Sequence, residues 1–104
     1  MTAEKSYNLD HLLLVGELDA GEAYEVDSFL VEYDPEKRVF YWVAGQGCSC
    51  WDGYGIYSEA DYDGNGTAQE AHSAVDAWAT EWDYRKNRTS PGDIADLHND
   101  IANA

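Results

Sequence analysis

The sequence predicts an α+β domain: a three-stranded antiparallel β-meander, then a long irregular loop, then two C-terminal helices packed on the sheet. Three observations carry this. Apolar runs with period-2 patterning fall between turn signals in the first half. Glycine and tyrosine crowd the stretch from Gly45 to Gly66 without any sustained period. Apolar residues at helical spacing, each group behind an N-cap signal, fill the second half. The 104 residues form one domain, 1–104, long enough for a single thin core.

Leu12 to Leu18 is the first strand, closed by the turn Asp19-Ala20-Gly21-Glu22. Val26 to Tyr33 is the second, with Phe29, Val31 and Tyr33 on one face by alternation. Asp34-Pro35-Glu36-Lys37 follows as a turn with proline at its second position. Val39 to Ala44 is the third strand and is apolar on both faces: Val39, Tyr41 and Val43 on one, Phe40, Trp42 and Ala44 on the other. A strand of that kind is covered on both sides. Within the Gly45 to Gly66 loop, a further short strand is expected near Ile56.

Thr67-Ala68-Gln69-Glu70 is a capping box, with Thr67 as N-cap and Glu70 at N3. Ala71, Ala74, Val75, Trp78 and Trp82 then share one helix face, and Arg85, Lys86 and Arg88 occupy the last turn, where cations complement the helix dipole. Ser90 caps the second helix with Pro91 at N1. Its apolar stripe is Ile94, Leu97, His98 and Ile101, which reads His98 as a packing residue.

Twenty-one Asp and Glu against six Lys and Arg leave a net charge of -15. Two acidic blocks, 1–36 and 51–84, are separated by Lys37 and Arg38 and closed by Arg85 to Arg88. Such a surface repels nucleic acid, anionic membrane and acidic substrates, and attracts basic partners and metal cations. Direct nucleic-acid or membrane binding is therefore not expected. Two cysteines are too few for a disulfide scaffold. The first ten residues lack the pattern of a secretory signal, so a cytoplasmic protein is expected.

No nucleophile–base order, phosphate loop or dinucleotide fingerprint stands out, and no catalytic residue is assigned. Two segments resemble metal sites. Asp61-Tyr62-Asp63-Gly64-Asn65-Gly66 matches the first half of a calcium loop, with Asp61, Asp63 and Asn65 as ligands. His72 stands where the bidentate Glu belongs, and an Asx-rich turn launching a helix explains the same residues. Cys48 and Cys50, in Gly47-Cys48-Ser49-Cys50, could give zinc two thiolates, or simply pack beneath a glycine-rich turn.

The strand and motif Phe40-Tyr41-Trp42-Val43-Ala44-Gly45-Gln46-Gly47-Cys48-Ser49-Cys50 resembles a family of small uncharacterised proteins of actinobacterial phages. Tyr24-Glu25-Val26-Asp27 and the helix start Ser90-Pro91 share the likeness. The resemblance implies a phage origin and no mechanism. Small acidic phage proteins often occupy the nucleic-acid site of a host protein, their carboxylates standing where phosphates would. The expectation is a non-enzymatic acidic accessory protein that binds a basic host protein as a nucleic-acid mimic. Its contact acids would be Glu17, Asp19, Glu22 and Glu25 around the first turn, or Asp61 and Asp63 in the loop. A divalent-cation module and a domain kept acidic for solubility are the alternatives.

Overall fold

The computed structural model describes residues 9–22, 25–47 and 53–104. The architecture is α+β. An antiparallel sheet is formed by β1 (Leu13–Asp19), β2 (Val26–Asp34), β3 (Val39–Gly47) and β4 (Gly64–Gly66), in that spatial order. The helices are α1 (Ala68–Glu81), the short α2 (Asp83–Arg88) and α3 (Pro91–Ala102).

β2 is the spine of the sheet, pairing with β3 along its whole length from Val26↔Gly47 to Asp34↔Val39. The turn between them is tightened by Asp34, whose Oδ1 accepts from the Glu36 and Lys37 amides at 2.9 and 3.1 Å. Arg38 closes it at φ 59°, a left-handed conformation uncommon for a residue with a side chain. β1 is an edge strand with a register shift between Leu14 and Gly16. Gly16 belongs there because a Cβ would lie 2.8 Å from Leu97 Cδ1, so its absence lets α3 settle onto β1.

The two-faced third strand behaves as its pattern demands. Phe40 joins Phe29, Val31, Val75, Trp78, Leu97 and Ile101 in a core between sheet and helices, with Trp42 packed against it. Tyr41 and Val43 join Leu12, Leu30, Ile56 and Tyr62 in a second core on the opposite face. That second face is covered by irregular chain, residues 9–12 and 53–62, rather than by helices.

Three expectations need correction. The sheet has a fourth strand, and it lies at Gly64–Gly66 rather than near Ile56, which is buried but outside any strand. Its Gly-Asn-Gly sequence carries no apolar alternation. Gly64 fits beside β3 because a Cβ there would meet Trp42 Nε1 at 2.5 Å. Secondly, the helix from Thr67 does not run on to Arg88. It ends at Glu81, and Trp82 takes extended backbone angles with 49% of its surface exposed instead of joining the buried face. Thirdly, Arg85 does not serve as a solvated helix-end cation. It is 2% exposed, and its Nη1 donates to the Trp78 carbonyl at 2.9 Å. The side chain thus satisfies one of the carbonyls orphaned where α1 stops.

The predicted caps are present. The Glu70 amide donates to Thr67 Oγ1 at 3.3 Å while the Thr67 amide donates to Glu70 Oε1 at 3.0 Å. At the start of α3 the Gly92 amide donates to Ser90 Oγ at 3.1 Å.

Candidate functional site

Where β2 begins and β3 ends, Glu25, Asp27, Gln46, Tyr84 and Arg88 line a cleft of about 520 Å³. Asp27 forms its floor. Arg85 grips this carboxylate with two parallel bonds, Nη2 to Oδ1 at 2.7 Å and Nε to Oδ2 at 2.8 Å. Tyr84 donates to Oδ2 at 2.5 Å, and Gln46 to Oδ1 at 3.2 Å. The guanidinium stacks 4.3 Å from the Trp78 ring centroid and reaches Glu81 at 3.0 Å. Burial pushes the Asp27 carboxyl upward, but the bonds from Arg85, Tyr84 and Gln46 outweigh it and hold the group below its ordinary value. Arg85 is opposed by burial in the same way and is held above its ordinary value by the bond to Asp27. Both Asp27 oxygens are engaged, so the pair clamps β2 to α2 and leaves no lone pair for a base or a ligand.

The acids singled out from the sequence fall in two places. Glu17, Asp19, Glu22 and Glu25 are exposed at the end of β1 and around the following turn. Glu17 accepts from the Tyr54 hydroxyl. Asp19 Oδ1 takes the Gly21 amide at 2.8 Å. Glu22 is ion-paired with Arg88 at 2.9 Å. Asp61 and Asp63 flank the second core, and each is used by the backbone. Asp61 Oδ2 accepts from the Tyr57 and Ser58 amides at 2.7 and 2.9 Å, whereas Asp63 Oδ2 accepts from the Ala44 amide at 2.8 Å. Asn65 stands in β4 opposite Tyr41. The segment that resembles a calcium loop is therefore a turn followed by a paired strand, in which the two carboxylates serve different backbone groups. Cys48 and Cys50 lie outside the described residues.

One acidic surface was not singled out from the sequence. Glu17 on β1 and Asp93, Asp96 and Asp100 on α3 line a groove of about 140 Å³ together with Gly16 and Leu97. The three aspartates follow i, i+3, i+7 spacing, so they share one helix face. That period was available in the sequence, running beside the Ile94, Leu97, Ile101 stripe. Among the described residues, no Lys, Arg or His pairs with these three. Lys37, Arg85 and Arg88, by contrast, are each matched to an acid of the chain itself. Half of the six Lys and Arg are thus matched inside the fold, while these three aspartates stay exposed.

The second core carries a polar line of its own. Glu32, fully buried, accepts from the Tyr62 hydroxyl; burial and this bond push the Tyr62 hydroxyl far above its ordinary range. His98 is half-buried rather than packed wholly in the core. Its Nδ1 lies 2.7 Å from His72 Nδ1, and its Nε2 lies 2.9 Å from Asp76. Among the described residues, no helix is long and apolar enough to cross a membrane.

An α+β domain with an acidic face and a clamped polar cleft defines the class. The family follows from comparison: the chain matches, over residues 1–99, the family described as Domain of unknown function (DUF7574), and it belongs to that family. No curated protein and no solved structure matches it.

Proposed function

We propose that this chain is a non-enzymatic acidic binding protein that docks a basic surface of another protein in place of nucleic acid. The observation that carries the proposal is the distribution of charge. Lys37, Arg85 and Arg88 are consumed by internal ion pairs, while Asp93, Asp96 and Asp100 line one helix face beside Glu17. From Asp93 to Asp100 the helix rises about 10 Å. Roughly three nucleotide steps of one strand cover the same span. A basic channel that binds phosphates would meet carboxylates at comparable intervals, and its counterions would be released in the same way. The phage resemblance would make the target a nucleic-acid-binding or defence protein of the host. Asp19, Glu22 and Glu25 extend the acidic surface around the first turn.

The test is capture from a bacterial host lysate with tagged protein, followed by elution with duplex DNA. The proposal expects a basic, nucleic-acid-binding protein that DNA displaces in competition. Capture that DNA leaves untouched would count against it.

A further inference from the structure

We propose that His11, Asp34 and Glu59 form a binding site for one first-row divalent cation of the zinc type. These residues come from three separate parts of the chain: the segment before β1, the end of β2 and a 3-10 turn at Glu59–Asp61. Each offers one ligand atom, and the three atoms lie within 4.8 Å of one another. His11 Nε2 and Glu59 Oε2 are 2.7 Å apart. Bonds to zinc of about 2.0–2.2 Å from nitrogen and carboxylate oxygen place ligands roughly 3.3 Å from each other in a tetrahedral shell. The cluster therefore needs a small opening on one side and a small closing on another.

The surroundings support a cation as the occupant. Asp34 is only 2% exposed, yet it stands beside a second carboxylate. A buried charge is costly unless it is compensated. The positive group at hand is Lys37, 3.8 Å from Glu59 and itself 60% exposed. One of the carboxylates is already held by the backbone, as ligands are around bound metals. Asp34 Oδ1 is held by the Glu36 and Lys37 amides. One imidazole with two carboxylates suits zinc or manganese, whereas calcium prefers six to eight oxygens. A bound ion would tie the irregular cover of the second core to the β2–β3 hairpin. The site is independent of the acidic face on α3 and of the Asp61, Asp63 and Cys48, Cys50 segments.

The test is calorimetric titration of zinc chloride into the full chain after treatment with chelator and dialysis. One-to-one saturable binding is expected, weakened at least about tenfold by His11→Ala and by Glu59→Gln. His72→Ala and the double variant Cys48→Ser/Cys50→Ser should bind as the parent does. Zinc should raise the melting temperature of the parent and not that of His11→Ala. His11 and Glu59 have side chains 51% and 35% exposed, so both variants should keep the parent circular dichroism. Absence of saturable heat, full binding in His11→Ala, loss of binding in the cysteine variant, or equal heat with calcium chloride would each overturn the proposal.

Discussion

Replacing Arg85 by methionine tests the central clamp of the fold. The change keeps an unbranched apolar stem over Trp78 but removes four hydrogen bonds: two to Asp27, one to the Trp78 carbonyl and one to Glu81. Breaking a buried ion pair by removing one partner costs about 3–5 kcal/mol. The lower end applies here, because Tyr84 and Gln46 still donate to Asp27. A loss of about 3 kcal/mol is a large share of the roughly 5–15 kcal/mol available to a domain of this size. At about 4 °C for each kcal/mol, the melting temperature should fall by about 12 °C. Urea unfolding followed by tryptophan fluorescence, with calorimetry for the midpoint, measures both quantities. Adding Asp27→Leu to the same chain should recover much of the loss, since the orphaned charge is then gone. Arg88→Met is the control: its pair with Glu22 is exposed and should be worth less than about 1 kcal/mol. If Arg85→Met costs no more than Arg88→Met, Arg85 is an ordinary helix-end cation and the reasoning fails.

Other outcomes follow from the same geometry. The folded Asp27 carboxyl lies below its unfolded value of 3.8, so its stabilising contribution is complete above that pH and is lost as the pH falls through the lower folded value. Acid titration of stability should therefore show a falling limb below about pH 4 that is shallower in Asp27→Asn. Thr67→Ala removes the cap of α1 and should cost about 1 kcal/mol in urea unfolding. Gly64→Ala would place a Cβ 2.5 Å from Trp42 Nε1. It should cost about 1–3 kcal/mol and loosen amide exchange protection in β4 before the rest of the sheet.

What could be read in the sequence was local. The alternation of Val39 to Ala44 foretold two covered faces, and both cores are there. The Thr67–Glu70 box and the Ser90-Pro91 start were legible because a cap is written within four residues. What failed was long-range. The Asp27–Arg85 pair spans 58 positions, and nothing near Arg85 distinguishes a clamp from a dipole-matching cation. The break at Trp82 is matched by the same residue, since Arg85 takes the Trp78 carbonyl that the break leaves open. β4 was hidden because its residues are chosen for room beside Trp42 and not for apolar pattern. The acids of the Asp61 to Gly66 segment matched a motif whose residues have local uses in turns and strand ends. His11, Asp34 and Glu59 could not have been grouped in advance, because only the packing of irregular chain on the second face brings them together.

The acidic face is tested most directly by affinity. The partner captured from host lysate should be titrated with the parent chain and with Asp93→Asn/Asp96→Asn/Asp100→Asn, at several salt concentrations. These side chains are exposed, so the variant should fold as the parent does. Binding should weaken at least about tenfold and depend less steeply on salt, since fewer charges meet the basic surface. Equal affinity and an equal salt slope for both chains would contradict docking through this face.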